Sequence, residues 1–397
     1  MHRRSIVFLS VVFLAVTLLK LNAQSTKVPG VVVNHMPAST ETYIASPSIC
    51  ILPNGDYIAS NDYFGPGSTE YSKALTSVFK SSDRGRSWKK ISDINGQFWS
   101  NLFVHNDLLY IMGTWNHNGN FIIRCSEDGG ISWSNPVDNK TGLLLKGEYH
   151  TAPMPVVIHN GRLWRAIEHP VTDNQSMLTH LCPMVISASV DADLLNADSW
   201  TASNYLPFDS TYLDGKFNNW LEGNAVVTPE GNMVNILRVA TSEKGRELAA
   251  MVKISEDGSN VTFDPATGFM DFVGGATKFS IRYDPKSGLY WAITNMVDDI
   301  FSGMDAAVVR NKLVLKSSTD LKNWSVNKVL LYHPDVLRHG FHYIDWQIDN
   351  RDIVFVSNTA YDDAFGGAHS YHDTNYVTFH RIKNFRKLVK KIISFIL

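Results

Sequence analysis

The sequence SSDRGRSW at residues 81–88 recurs as SEDGGISW at residues 126–133. Each octet follows an apolar, strand-like run and contains an Asp, a Gly two residues later and a Trp at its end. The Asp carboxylate can accept hydrogen bonds from nearby backbone N–H groups, and Gly can adopt the positive φ of a tight turn. Two matches of this length predict a β-hairpin turn that is repeated along the chain.

Weaker copies of this turn contain Asp191, Asp257 and Asp320, so the five Asp positions are separated by 45, 63, 66 and 63 residues. The intervening segments alternate apolar and polar residues, end in dipeptides such as Asn-Gly, and lack long helical periodicity. The pattern predicts an all-β fold, a β-propeller of four-stranded blades, and the turn resembles the Asp-box of sialidase-like propellers. About 370 mature residues at roughly 50 per blade predict seven blades, with six as the alternative.

Composition excludes several classes of function. The chain has 397 residues, a net charge of −2 and 44% hydrophobic residues, which gives no sign of a nucleic-acid-binding surface. It has no phosphate-binding loop, dinucleotide fingerprint or Gly-x-Ser-x-Gly motif, so nucleotide hydrolysis, hydride transfer and serine-esterase chemistry have no sequence support.

The N-terminus predicts export. Two arginines precede an apolar run at residues 6–19 and small residues near position 23, a pattern typical of a signal peptide at 1–23. We expect a periplasmic or secreted monomer without membrane insertion, with one propeller catalytic domain at 24–386 and a basic, apolar tail at 387–397. The three cysteines are too few and odd in number for a disulfide framework, so we expect buried thiols.

Two histidines are candidate acid–base catalysts. His150 and His169 lie 19 residues apart across one predicted hairpin, so their strands could be neighbours and their imidazoles could meet. Imidazole exchanges a proton near neutral pH. The alternative is that each ring only hydrogen-bonds to the backbone.

Two arginines interrupt apolar strands and need anionic partners. Arg238 and Arg282 could pair with structural carboxylates, such as Glu222 or Asp284, or with a substrate carboxylate. Glu222 is also a candidate catalytic residue. We predict substrate contacts at three further positions, of which the first could instead be a core side chain: Trp220, Arg165 and Tyr283.

A structural metal ion is a further hypothesis, with His372 and Asp373 as donors. These residue types suit a metal, but their spacing matches no dedicated ligand motif. We expect no cofactor to be required for the chemistry.

Longer segments resemble a narrower family. A sialidase signature requires an Arg before the first Asp-box, yet no Arg occurs between the signal peptide and Arg84, so we do not predict a sialidase. Five segments carry this resemblance: YHTAP at 149–153, GRLWRA at 161–166, WLEGN at 220–224, DWQ at 345–347 and HDTNYVTFHRI at 372–382. Through them the chain resembles the seven-bladed propellers of ulvan lyases, rhamnose-glucuronate lyases and an ulvan oligosaccharide dehydratase.

The resemblance implies β-elimination at C4–C5 of a glucuronic acid within an acidic oligosaccharide or polysaccharide. His150 and His169 would then supply base and acid, while Arg238 and Arg282 would neutralise the carboxylate. The family also uses a Tyr near the segment at 220–224, which contains none here; Glu222 is the nearest candidate.

Two alternatives remain. A glycoside hydrolase of the same fold, such as a rhamnosidase, needs two carboxylates, for which Glu222, Asp62 and Asp345 are available. A non-catalytic glycan-binding propeller would use the same residues without turnover.

Overall fold

The structure, a computed structural model, describes residues 27–172 and 179–389. Within these ranges the chain forms six antiparallel sheets, each the blade of a β-propeller. A short strand, β1 (Val31–His35), precedes the first complete blade. Blade 1 comprises β2 (Tyr43–Ile51), β3 (Tyr57–Phe64), β4 (Leu75–Ser81) and β5 (Lys89–Asn95), and blade 2 comprises β6 (Phe98–His105), β7 (Leu108–Thr114), β8 (Phe121–Ser126) and β9 (Leu143–Leu145).

The next two blades follow the same order. Blade 3 comprises β10 (Val157–His159), β11 (Arg162–Thr172), β12 (Thr179–Ser189) and β13 (Trp200–Ala202). Blade 4 comprises β14 (Phe217–Val227), β15 (Met233–Thr241), β16 (Leu248–Ile254) and β17 (Val261–Thr262), and β18 (Phe269–Asp271) also pairs with β16.

The last two blades complete the ring. Blade 5 comprises β19 (Ser280–Asp284), β20 (Leu289–Asn295), β21 (Lys312–Ser318) and β22 (Trp324–Tyr332), and blade 6 comprises β23 (Gly340–Asp349), β24 (Asp352–Ala360) and β25 (Tyr376–Ile382). β1 pairs with β25 as the outer strand of blade 6, so the two ends of the described chain share one sheet. Two four-residue helices, α1 (Tyr212–Gly215) and α2 (Pro265–Gly268), lie in blade 4, and 3-10 turns occur at Ala38–Thr40, Ala197–Ser199, Asp299–Phe301, Ala306–Val308 and Phe385–Leu388.

The blade count corrects the sequence prediction. Six blades are present rather than seven, and the six-blade alternative is the right one. The error came from the assumed blade length, because three of the four gaps between Asp positions are 63 to 66 residues. Long connections between strands take up the additional residues.

The predicted turns lie where a propeller requires them, between the third and fourth strands of blades 1 to 5. In the first turn, Oδ1 of Asp83 accepts hydrogen bonds from the backbone N–H groups of Arg86 and Ser87, each at 3.0 Å. Asp128 accepts the equivalent pair from Ile131 and Ser132. These bonds stabilise the ionised carboxylates, and hydrogen bonds from Ser87 and Ser132 lower the pKa of each Asp to about 2.

Apolar residues fill the space between blades. Six hydrophobic clusters occur in the described residues, and each is shared by two neighbouring blades. The predicted thiols are confirmed as buried and free: Cys50, Cys125 and Cys182. Sheet-to-sheet packing therefore stabilises the ring without a disulfide between these cysteines.

Polar bonds connect the blades around the channel. From blade 1 to blade 4, the backbone N–H of Leu102 donates to Ser48, Arg165 donates to Asn101, and the N–H of Gly223 donates to Glu168. From blade 4 back to blade 1, the bonds are Ile281 N–H to Asn224, Ser280 to the Ile344 carbonyl, Arg282 to Asp345, and Ser48 to Asp345. Every pair of neighbouring blades is thus joined inside the channel.

Two predictions on the chain ends fall largely outside the described residues. The signal peptide at 1–23 and residues 390–397 of the tail are not described. Before that point, residues Phe385–Leu388 form a 3-10 turn, and Phe385 packs on Trp291. None of the described helices is both long and apolar enough to cross a bilayer.

Candidate functional site

Four inner strands carry the same β-bulge at one end of the channel. The bulged residues Ser46, Trp99, Glu222 and Tyr343 all have positive φ, between 46° and 58°. A bulge redirects its side chain out of the regular alternation, and positive φ is unfavourable for residues with a Cβ. We call this end, together with His150, the mouth.

Glu222 and Arg238 form a buried ion pair at the mouth. Nη1 of Arg238 lies 2.8 Å from Oε2 of Glu222, and both side chains are almost fully buried. Burial acts to raise the pKa of Glu222, but the charge of Arg238 and the phenol of Tyr343 outweigh it and lower that pKa. Nε of Arg238 and Oε1 of Glu222 have no hydrogen-bond partner of standard geometry in the described part of the chain.

A second arginine lies beside this pair. Burial, together with the nearby charge of Arg238, lowers the pKa of Arg310. Its Nη1 lies 3.3 Å from Nδ1 of His342, and its guanidinium stacks near Tyr343. The same burial lowers the pKa of His342 well below its ordinary value, so this imidazole is neutral. Glu222 therefore pairs directly with Arg238 and lies within electrostatic range of Arg310.

His150 is held at the mouth by a carboxylate. Its Nδ1 lies 3.0 Å from Oε2 of Glu168, which accepts the Gly223 N–H through its other oxygen. The His150 ring also packs against Trp99, with ring centroids 4.1 Å apart. Glu168 therefore fixes the orientation of the imidazole and leaves Nε2 on the far side of the ring.

His169 is not brought together with His150. It follows Glu168 on β11, and strand alternation directs it to the other face of the sheet. Its Nδ1 lies 3.1 Å from the Glu148 carbonyl oxygen, and its ring packs near Tyr149 and Tyr205. His169 therefore fits the alternative in which its ring only hydrogen-bonds to the backbone.

Asp62 lies behind the mouth on β3. It is 1% exposed and is approached by Thr76, Ser46 and the backbone of Trp99. Burial outweighs these hydrogen bonds and raises its pKa to about 8. Asp62 is therefore a protonated carboxylic acid at neutral pH, able to donate a proton.

Arg282 and Tyr283 lie towards the opposite end of the channel. Arg282 donates to Asp345 at 3.0 Å, rather than to the suggested Asp284, and borders a cavity with Phe103 and Gln347. Tyr283 is half exposed at this end. Arg282 thus has a structural carboxylate and does not join Arg238 at the mouth.

Arg165 and Trp220 are enclosed by protein. Arg165 is 0% exposed and donates to Asn101, Thr151 and two backbone carbonyls. Trp220 is also 0% exposed, and its indole packs among the aromatic rings of blade 4, including Phe217 and Phe263. The indole has no face open to a substrate, so Trp220 is a core side chain, as the alternative prediction stated.

The proposed metal donors lie at the rim. Asp373 accepts from Nδ1 of His372 at 3.0 Å and from Nδ1 of His369 at 2.7 Å. No group of three or more side chains suited to hold a metal ion is found within residues 27–172 and 179–389. The structural metal remains a prediction.

Sequence reasoning missed several mouth residues, namely Trp99, Glu168, Arg310, His342 and Tyr343. A signal was present for the bulged positions. Two residues after each bulge, an otherwise apolar strand has a short polar residue that bonds to a neighbouring blade. These residues are Ser48, Asn101, Asn224 and Asp345.

Comparisons with known proteins show the fold. No family model matches the chain, and no curated protein matches its sequence. A Dyadobacter fermentans protein of unknown function has a TM-score of 0.59 at 14% identity, covering 90% of this chain and 99% of that one. A Penicillium chrysogenum α-L-arabinanase complexed with arabinobiose has a TM-score of 0.53 at 13% identity, covering 90% and 98%.

A Trypanosoma rangeli sialidase in complex with sialic acid has a TM-score of 0.54 at 13% identity, covering 86% of this chain and 54% of that one. These similarities define the class of the molecule as a β-propeller. At these identities they show the fold alone.

Proposed function

We propose that this protein is a carbohydrate-active enzyme that hydrolyses a glycosidic bond at an acidic sugar bound in the mouth. The observation that carries the proposal is the presence of two buried guanidinium groups there, one of which has no carboxylate partner among the described residues. Arg238 and Arg310 are close enough for their charges to interact, but only Arg238 forms an ion pair with Glu222, and Arg310 has no ion-pair partner in the described part of the chain. Guanidinium groups bind carboxylates through paired hydrogen bonds, so a sugar carboxylate would balance this charge.

The chemistry would need three groups: an acid, a nucleophile and the base that activates the nucleophile. Asp62, protonated at neutral pH, would donate a proton to the leaving oxygen. Tyr343 would attack the anomeric carbon while ionised Glu222 takes its proton, forming a sugar–Tyr343 bond as the glycosidic bond breaks. A water molecule would then attack the anomeric carbon, release the sugar and restore the Tyr343 hydroxyl. The arabinanase and sialidase with this fold are consistent with a glycoside-processing role.

β-Elimination at a glucuronic acid is the second candidate, and the His150–Glu168 pair favours it. His150 would remove the C5 proton while Arg238 and Arg310 stabilise the developing enolate. The acid would be Tyr343 or Asp62 rather than His169, and Arg310 would replace Arg282. The leaving group would be water in a dehydratase or a sugar in a lyase.

Product masses separate these reactions. The purified protein is incubated with rhamnose–glucuronate oligosaccharides from ulvan and gum arabic, and with neutral arabino-oligosaccharides as the control substrate. Hydrolysis adds one water across two fragments, whereas elimination creates an unsaturated uronate that absorbs ultraviolet light. Export through residues 1–23 is part of the proposal, since such glycans are extracellular.

A single variant ties turnover to the mouth. Glu222→Gln keeps the side-chain shape but removes the base, so kcat should fall by at least about 100-fold. The matched control is Glu243→Gln, which changes an exposed partner of Lys216 and should leave kcat unchanged. Full turnover by Glu222→Gln, or turnover of the neutral substrate alone, would contradict the proposal.

A further inference from the structure

Trp99 has an unusual backbone conformation for its size. Its φ is +46°, a region in which a Cβ crowds the backbone and bulky residues are rare. A residue without a Cβ would adopt this conformation without strain. The strain persists only because surrounding structure imposes it, and such outliers concentrate at functional sites.

The position of Trp99 repeats that of two candidate catalytic residues. Its bulge lies at the same point of β6 as the Glu222 bulge of β14 and the Tyr343 bulge of β23. In each case the bulge turns the side chain towards the mouth. The repeat therefore assigns the Trp99 indole to the same site as the reacting groups.

The surroundings of Trp99 form an aromatic recess. Its indole packs against His117 and His150, with centroid distances of 4.5 and 4.1 Å, yet the residue remains partly exposed. Together with Phe64 and Tyr343 it lines a cavity of about 150 Å³. Ser46, on blade 1, contributes only a small side chain to this wall.

We propose that Trp99 is a specificity-determining residue that stacks on the apolar C–H face of a pyranose ring in this recess. The two flanking imidazoles hold the indole plane, so little side-chain freedom is lost when a sugar binds. The carboxylate-binding arginines lie on blades 4 and 5, behind His342 and Tyr343 of blade 6, which contact Arg310 and also line the recess. The site thus takes a sugar with one charged and one apolar side. This inference rests on the proposed function only in taking the ligand to be a glycan.

Three substitutions of Trp99 test the proposal. Trp99→Gly removes both the indole and the strain, Trp99→Asn retains a residue tolerant of positive φ, and Trp99→Phe retains a smaller ring. With a rhamnose–glucuronate oligosaccharide as the probe, we expect the dissociation constant and KM to rise by about tenfold or more in Trp99→Gly and Trp99→Asn. The rise should be smaller in Trp99→Phe. The matched control is Trp133→Phe, in the Asp-box turn of the same blade, which should leave both constants unchanged.

Thermal unfolding supplies the second readout. Because glycine relieves the strained φ, Trp99→Gly should unfold at the same temperature as the parent protein or higher. Lower stability with unchanged affinity would make Trp99 a packing residue and overturn the inference. Parent turnover with equal affinity in Trp99→Gly would overturn it while the proposed function stands. If the glycan binds through Trp99 but is not turned over, the proposed function fails and the inference about Trp99 stands.

Discussion

At the scale of single residues, the mouth depends on groups whose protonation differs from that in water. Asp62 is neutral because burial opposes its charge, whereas Glu222 is ionised because Arg238 compensates for burial. Two carboxyl groups with opposite shifts provide an acid and a base at the same pH. Neither shift follows from the sequence, because each depends on which strands cover the residue.

Asp62 predicts two pH dependences. As the proton donor it must be protonated, so kcat/KM should fall as pH rises above about 8, and Asp62→Asn should abolish turnover. Between the ordinary pKa of Asp, about 4, and the folded value, the native state binds a proton that the unfolded state has lost. The free energy of unfolding should therefore decrease as pH rises through this interval, and Asp62→Asn should reduce that slope.

Glu247 provides the control for Asp62. Burial raises its pKa to about 7, and it lies beside Lys316 and the Gly274 N–H rather than at the mouth. Glu247→Gln should flatten the pH dependence of stability while leaving the pH–rate profile unchanged. The two profiles are measured by chemical denaturation and initial rates. If the Asp62→Asn variant stays active and its kcat/KM falls at the same alkaline pH as in the parent protein, Asp62 is not the acid.

At the scale of the elements, the Asp-box turn connects one blade to the next as well as closing a hairpin. Gly85 has φ +86°, and a Cβ added there would lie 2.1 Å from the Phe379 ring on β25. Trp88, at the end of the same box, also packs on Phe379. The Asp-box turn of blade 1 therefore packs against blade 6.

Two glycine substitutions separate turn strain from this packing. Gly55→Ala introduces a Cβ at φ +90° with nothing within 4 Å, so it should cost only strain, about 1–2 kcal/mol. Gly85→Ala adds the clash with Phe379 and should cost about 1–3 kcal/mol more. Urea denaturation of both variants measures the difference. Equal losses of stability would show that the box does not press on blade 6.

At the scale of the whole molecule, the ring closes through β1 and through one charged cluster. Asp349 of blade 6 accepts hydrogen bonds from Tyr57 at 2.6 Å and from Arg84 and Arg381 at 2.7 Å. Tyr57 and Arg84 belong to blade 1, so the cluster joins the last blade to the first. These contacts lower the pKa of Asp349 despite its burial.

Removing Asp349 should weaken this closure. Asp349→Ala leaves Arg381 and Tyr57 without their shared acceptor and should lower the free energy of unfolding by about 3 kcal/mol. Asp271→Ala removes a solvent-exposed partner of Arg246 and should cost less than about 1 kcal/mol. Guanidinium denaturation of both variants gives the comparison. If they lose the same stability, closure does not depend on the Asp349 cluster.

The sequence by itself determined the local structure. The Asp83 and Asp128 turns were predictable because their hydrogen bonds span four residues or fewer, and alternation identified the strands. Tertiary structure decided the number of blades, since closure depends on the summed lengths of distant connections. It also decided the site. Glu222 meets Tyr343, and Trp99 meets His150, only when blades far apart in the chain converge on one channel, and no local pattern encodes that distance.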